Sequence, residues 1–302
     1  METPAMDFPC YLDGRWLPLS EARVPVLDRG FLFGDAVYEV IPVYSLRPFR
    51  FADHMARLAR SLAAVRIPNP HTPDAWLDLI DGLVRRHAEA EGGDDQLVYL
   101  QVTRGVAPRQ LAAPPDLKPT VFMMSQTLDP ELAEQRREGI AAVTARDVRW
   151  ERCDIKTTSL MGHVLARQVA VDHGAAETIL LRELPGTAGL HVTEGAGSNV
   201  WVVLEGALIG VPPSVHTLEG LRIELLQELA EEAGIPCSLR PIAEDELMRA
   251  DEILISSAGR EVTPVVRLDG EPVGHGSTRG RPGPVYAKLH EAYQLAKQTP
   301  SA

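Results

Sequence analysis

The sequence predicts an α+β protein built from two domains. Three observations carry this. Both strand-like and helix-like segments occupy the first 130 residues, the polar step Thr127-Leu128-Asp129-Pro130 interrupts them, and a longer mixed half follows. At 302 residues the chain is long enough for two medium domains and buries enough surface to need no disulfide or metal staple. The expected division is a smaller N-terminal domain over residues 1–130 and a larger C-terminal domain over residues 131–302.

Each element has its own signal. Residues 10–16 and 37–51 alternate and carry Val, Tyr and Phe, which predicts strands. Asp53 opens a helix whose His54, Leu58 and Leu62 share one face, and the pattern stops before Pro68. A second helix is predicted over 73–91, closed by Gly92-Gly93, and strands over 97–104 and 119–126. The proline-rich segment 105–118 reads as a long irregular loop, a kind that is usually functional or disordered. Beyond the boundary come a strand near 140–147, a helix over about 158–173, and strands near 177–182 and 199–204. A helix over about 219–233 ends at Gly234-Ile235-Pro236, and a short helix follows near 244–249. Strands near 252–256 and 262–268 and a last helix over about 284–297 complete the chain.

Composition narrows the function. With 45% apolar and 24% charged residues the chain is neither disordered, collagenous nor coiled coil. Thirty Lys+Arg against 42 Asp+Glu give a formal charge of -12, which repels phosphate backbones and anionic lipid. Nucleic acid and membrane are therefore not expected as partners, and any anionic ligand must be held by local basic groups. Cys10, Cys153 and Cys237 are scattered without a CxxC, so no disulfide framework or zinc site is expected. The start of the chain lacks a basic, then apolar, leader pattern, and runs such as Val200–Leu204 are too short to span a bilayer. The expectation is a cytoplasmic protein. No HExxH or other close pair of metal ligands occurs, so no metal is expected. Gly195-Ala196-Gly197 precedes a strand where a dinucleotide fingerprint needs a helix, and no GxSxG is present.

Three stretches can carry chemistry. Lys156 ends an extended segment before a helix, and flanking Ile155 and Leu160 point to a partly buried stem, as a nucleophilic lysine requires. Glu194 sits among small residues in Thr193-Glu194-Gly195-Ala196-Gly197, where a flat ligand can approach the backbone and a carboxylate can meet a ring nitrogen. The third is an anion-binding set: the helix start Glu219-Gly220-Leu221-Arg222, the small-residue turn Ser256-Ser257-Ala258-Gly259, and Arg57 on the inner face of the first helix. Taken singly, each also fits an ordinary surface lysine, a hairpin glutamate, a capped helix or a tight turn.

Together the stretches resemble the fold type IV family of pyridoxal-phosphate enzymes, and among them the D-amino acid aminotransferases. Asp28-Arg-Gly-Phe-Leu-Phe-Gly-Asp-Ala-Val-Tyr38-Glu-Val40 is similar to the family's first block, and His54-Met-Ala-Arg57-Leu58 to its phosphate-arginine motif. Val102-Thr-Arg-Gly-Val-Ala-Pro-Arg109 resembles the substrate-carboxylate loop. Arg149 to Lys156, Thr193 to Asn199, and Glu261-Val-Thr-Pro-Val265 complete six blocks in order, from about residue 10 to 295. The resemblance implies a two-domain architecture with pyridoxal 5'-phosphate between a smaller N-terminal α/β domain and a larger C-terminal domain. It implies Lys156 as the Schiff-base lysine and proton shuttle, and Glu194 as partner of the pyridine nitrogen. Arg57 would hold the phosphate with the N–H groups of Leu221 and Arg222 and the turn at Ser257 and Ala258. Tyr38 and Arg109 would bind the substrate carboxylate, with the arginine loop delivered by the neighbouring subunit of a homodimer. The implied activity is ping-pong transamination of D-amino acids, such as D-alanine, with 2-oxo acids.

Departures from the family pattern bear on substrate choice. Leu111 stands where a histidine is usual two residues after the arginine, which implies a weaker carboxylate trap open to some carboxylate-free primary amines. Arg222 stands for a common threonine, and the phosphate turn Ser-Ser-Ala-Gly lacks one. On the same fold the alternatives are a branched-chain L-amino acid or (R)-amine transaminase and aminodeoxychorismate lyase. A non-catalytic metabolite-binding protein would be expected to lack the lysine or the glutamate, and both are present.

Overall fold

In the computed structural model, residues 7–298 are described. They form two units: residues 7–128 with Ile155–Ser159, and Asp129–Asp154 with residues 160–298. Both are mixed, giving a two-domain α+β architecture.

The first unit is built on an antiparallel six-stranded sheet. Its strands are β1 (Pro9–Leu12), β2 (Arg15–Pro18), β3 (Ala36–Tyr44), β4 (Arg47–Pro48), β5 (Gln96–Thr103) and β6 (Thr120–Thr127), in the order β2-β1-β6-β5-β3-β4. The strands expected over 10–16 and 37–51 are each broken by a tight turn. Asp13-Gly14 and Ser45-Leu46 take positive φ and reverse the chain into hairpins. One turn of helix, α1 (Arg29–Phe33), precedes β3, and α2 (Phe51–Ala64) and α3 (Pro73–Glu91) follow β4 and precede β5. Thr72 caps α3 through Ala75 N–H, and Pro73 stands at its first turn, where no donor is lost. Val37 and Ile41 of β3, Leu58 and Leu62 of α2, and Trp76 and Ile80 of α3 meet in one buried core. Each such side chain contributes roughly 1.5–3 kcal/mol on burial.

Ile155–Ser159 belongs to this unit, although the sequence placed it in the C-terminal domain. Ile155 enters the core, Tyr38 N–H donates to the Lys156 carbonyl at 3.0 Å, and Thr158 N–H donates to Ala36 O at 3.1 Å. Five residues carry no periodicity of their own, so only tertiary pairing assigns them.

The second unit is a mixed nine-stranded sheet. Its elements in chain order are α4 (Glu131–Glu138), β7 (Ile140–Arg146), α5 (Met161–Asp172), β8 (Glu177–Glu183), β9 (Leu190–Gly195), β10 (Asn199–Leu204), β11 (Ala207–Gly210), α6 (Leu221–Glu232), β12 (Cys237–Leu239), α7 (Glu244–Met248), β13 (Glu252–Ser257), β14 (Glu261–Leu268), β15 (Glu271–Pro272) and α8 (Pro284–Gln298). Strands run in the order β12-β11-β10-β13-β14-β7-β8-β9, with β15 on β14. The pairs β7–β8, β7–β14 and β11–β12 are parallel. Among the described residues no helix is long and apolar enough to cross a membrane.

Candidate active site

In the first unit, Lys156 is held by its backbone and presented by its side chain. Its N–H donates to Ser61 Oγ at 3.4 Å, its carbonyl accepts from Tyr38, and the next residue, Thr157, bridges to Val37. The half-buried amine lies 4.2 Å from the centre of the Tyr38 ring. Among the described residues no carboxylate pairs with it. Tyr38 in turn packs on Tyr99, ring centres 5.7 Å apart, and burial raises the Tyr99 hydroxyl to about 12.

Alternation along β3 sends Tyr38 to one face and Glu39 to the other, beside Val37 and Ile41. A glutamate on that apolar face must be paired. Arg57 of α2 does so with its fork, Nε to Oε1 and Nη2 to Oε2, both at 2.8 Å, and His54 Nδ1 lies 2.9 Å from Oε2. Burial pushes the Glu39 carboxyl up, but the charge and hydrogen bonds of Arg57 outweigh it and hold it well below the usual carboxylate range. The expected phosphate arginine is thus buried and aimed by Glu39.

Arg109 lies in the 105–118 loop and is exposed, its guanidinium 5.6 Å from the centre of the Phe33 ring. The loop opens at Gly105, φ 103°, where an added Cβ would collide with the Lys118 carbonyl oxygen. Asp28 fixes its surroundings, accepting from Gly30 N–H at 2.8 Å, Thr103 Oγ1 at 3.0 Å and Thr120 Oγ1 at 2.7 Å.

In the second unit, Glu194 lies on β9, not in a hairpin turn, and is buried. Oε1 accepts from Arg149 Nη1, and Oε2 accepts from Leu218 N–H at 3.0 Å. Arg149 is itself gripped by Asp147, Nε to Oδ1 at 2.9 Å and Nη2 to Oδ2 at 2.8 Å. Burial pushes the Glu194 carboxyl above its ordinary value against the pull of Arg149. Asp147 behaves oppositely: burial raises it, but the hydrogen bonds and charge of Arg149 bring it well below the carboxylate range. Arg149 therefore remains compensated by Asp147 whatever Glu194 faces.

Two parts of the anion-binding set, the helix start and the serine turn, lie in this unit; Arg57 belongs to the first. Gly220 precedes α6 without a side-chain cap, so the first-turn N–H groups, including those of Leu221 and Arg222, face outward along the axis. The Arg222 side chain is buried. A Cβ at Gly220 would run into the Asn199 amide, and Asn199 pairs by its backbone with Ser256. The start of α6 and the Ser257-Ala258 turn thus adjoin one residue. Helix-start donors, a serine turn, a buried arginine and a buried carboxylate are the donor set that a phosphate ester with a basic ring nitrogen needs, so these residues fit pyridoxal 5'-phosphate.

Glu39, Asp147 and Arg149 were not singled out as site residues from sequence. Glu39 could have been found as the one charge on the apolar face of β3. Asp147 and Arg149 lie just past the end of β7, where Arg149 N–H donates to Asp147 Oδ1 at 3.1 Å and the two side chains pair.

Comparison with known proteins gives the family. The Amino-transferase class IV family matches residues 36–268. A D-alanine aminotransferase of Staphylococcus haemolyticus is 36% identical over 94% of this chain and 95% of its own. One from Bacillus licheniformis is 38% identical over 93% and 94%. Among solved structures, a branched-chain amino acid aminotransferase of T.th. complexed with N-(5'-phosphopyridoxyl)-L-glutamate superposes with a TM-score of 0.83 at 25% identity, covering 96% of this chain and 94% of that one. The chain belongs to the class IV aminotransferases. It is a pyridoxal 5'-phosphate-dependent transaminase of fold type IV.

Proposed function

We propose that the chain transfers the amino group of D-amino acids, D-alanine among them, to 2-oxo acids in a ping-pong cycle. The curated relatives named D-alanine aminotransferase are 33–38% identical, above the branched-chain neighbours at 24–27% among the solved structures. Bound pyridoxal 5'-phosphate supplies an aldehyde that carries the amino group and a ring that draws electrons from the substrate's α-carbon. The residues do the rest. Lys156 Nζ would hold the cofactor at rest and, once the incoming substrate amine has displaced it, the freed amine would take the α-proton and return it to the cofactor's reacting carbon. Glu194 holds a proton on the ring nitrogen. Arg57, the N–H groups of Leu221 and Arg222, and the Ser257-Ala258 turn bind the phosphate. Tyr38 and Arg109 bind the substrate carboxylate and so select handedness.

The observation that carries this reading is Lys156, fixed at its backbone on both sides with an amine lying on Tyr38 and no acidic partner among the described residues. Such an amine is available for covalent and base chemistry. The sequence has four lysines, Lys118, Lys156, Lys288 and Lys297, so borohydride fixation of the cofactor is simple to map. The label is expected on Lys156, with turnover abolished in Lys156→Ala, and the half-reaction is expected to run faster with D- than with L-alanine. A label on another lysine, or a preference for L-alanine, would defeat the respective assignment.

We also propose a homodimer whose arginine loop serves the neighbouring subunit. Exposed apolar side chains cluster in sequence around that loop and the segment packed beside it: Val26, Leu27, Phe31, Val106 and Leu111. A reducing, cytoplasmic setting suits three free cysteines of which two are buried.

A further inference from the structure

One buried side chain grips the loop that carries Arg109. Arg29 Nη1 donates to the Gln110 carbonyl at 2.7 Å and Nη2 to the Leu111 carbonyl at 3.0 Å, while Nε donates to Asp35 at 2.7 Å. Arg29 is 4% exposed, whereas Leu111 is 84% exposed. A single planar fork therefore fixes the carbonyls of the two residues that follow Arg109. Asp35 is locked from the other side by Arg104, whose Nε and Nη2 donate to it at 2.7 and 2.9 Å. Arg104 also donates to the Val65 and Arg66 carbonyls at 2.7 and 2.8 Å, beyond the end of α2. Burial pushes the Asp35 carboxyl up, but Arg104 and Arg29 outweigh it, so it stays ionised between them. Both Arg29 and Arg109 lie on Phe33, 4.9 and 5.6 Å from the ring centre.

We propose that Arg29 is a positioning residue for substrate-carboxylate recognition: with Asp35 and Arg104 it fixes the Gln110 and Leu111 carbonyls and thereby aims the Arg109 guanidinium. This rests on the reading of Arg109 as the carboxylate ligand. Without the fork, an exposed loop must be ordered each time substrate binds, at about 1–2 kcal/mol per residue. With it, that cost is met on folding, and binding gains by preorganisation. Lysine cannot substitute, because one ammonium reaches Asp35 but cannot also hold two carbonyls in the plane of a fork.

The test is a double-mutant cycle on the holoenzyme with D-alanine and 2-oxoglutarate. Arg29→Lys is expected to raise KM for D-alanine about tenfold, equivalent to about 1.4 kcal/mol, with a much smaller change in kcat. In the Arg109→Ala background the same substitution is expected to add nothing, because there is no guanidinium left to aim. Should Arg29→Lys fail to fold, Asp35→Asn is read in the same way, since it leaves Arg29 and the loop carbonyls in place and removes only the clamp. The same factor in both backgrounds, or a loss confined to kcat, overturns the proposal alone. An unaltered KM in Arg109→Ala overturns the reading of Arg109 and the proposal with it.

Discussion

Replacing Glu194 by glutamine removes one negative charge and leaves shape and most hydrogen bonding in place. The glutamine amide oxygen can accept from Leu218 N–H or from Arg149 Nη1 but not both, its NH2 facing the other donor, while Arg149 keeps its two bonds to Asp147, at 2.9 and 2.8 Å. Asp147 still pairs with Arg149, though it also faces Arg182 at 3.4 Å, so the fold is expected to survive with some loss of stability. The effect on catalysis is larger. On the proposed reading, in which Glu194 would meet the ring nitrogen of bound cofactor at hydrogen-bonding distance, a unit charge about 3 Å away would contribute about 5 kcal/mol at an effective dielectric of about 20. Only the part that holds the proton on that nitrogen during turnover would lower the barrier. Taking about half gives about 3 kcal/mol, or roughly a 100-fold loss of kcat. Turnover of D-alanine with 2-oxoglutarate measures it, with urea unfolding as the check on folding. A loss below about threefold, where roughly 100-fold is expected for a preorganised charge, would refute the role of Glu194.

Three further outcomes follow from the same geometry. Arg57→Lys keeps a cation beside Glu39 but loses the fork, so the dissociation constant for pyridoxal 5'-phosphate should rise about tenfold, with holoenzyme recovered at high cofactor; spectrophotometric titration of apoenzyme checks this. Glu39→Gln breaks a buried pair and should cost about 3 kcal/mol in urea unfolding at neutral pH. The Glu39 carboxyl is depressed in the fold, so its ionic contribution is fully present above the ordinary carboxylate range, near pH 4.3, and is lost as pH falls towards the folded value. The gap between wild type and Glu39→Gln should therefore narrow below about pH 4, and a gap that stays constant between neutral pH and pH 3 would contradict the pairing.

Much of this was legible in the sequence where side chains repeat. The periodicity of His54, Leu58 and Leu62 placed the start of α2 within two residues, though the helix stops at Ala64 rather than just before Pro68, and the caps around 73–91 placed both ends of α3. Two helices left no such trace. α1 is one turn, set by Asp28 at its start and Gly34 at its end, and α4 buries none of its residues, so it has no apolar stripe. β9 was missed because the glycines and alanine at 195–197 read as a turn, when only the residues after Gly195 turn. The chemistry-bearing side chains stood out as residue types in motifs. Their supports did not: Glu39, Asp147, Arg149 and Arg29 act through partners distant in sequence, such as Arg57, Glu194 and the Gln110 and Leu111 carbonyls.

The return of Ile155–Ser159 to the first unit bears on how this gene can be cut. A fragment ending at Leu128 would lack Ile155 from its core and the bonds that Lys156 and Thr158 make to Tyr38 and Ala36. It would also lack Lys156. A split version of the enzyme is therefore expected to reassemble poorly when divided at the apparent boundary, and better when divided after Ser159. Recombination between homologues should obey the same limit: crossovers between residues 129 and 154 separate Lys156 from the strand that holds it, and the two must be inherited as a matched pair.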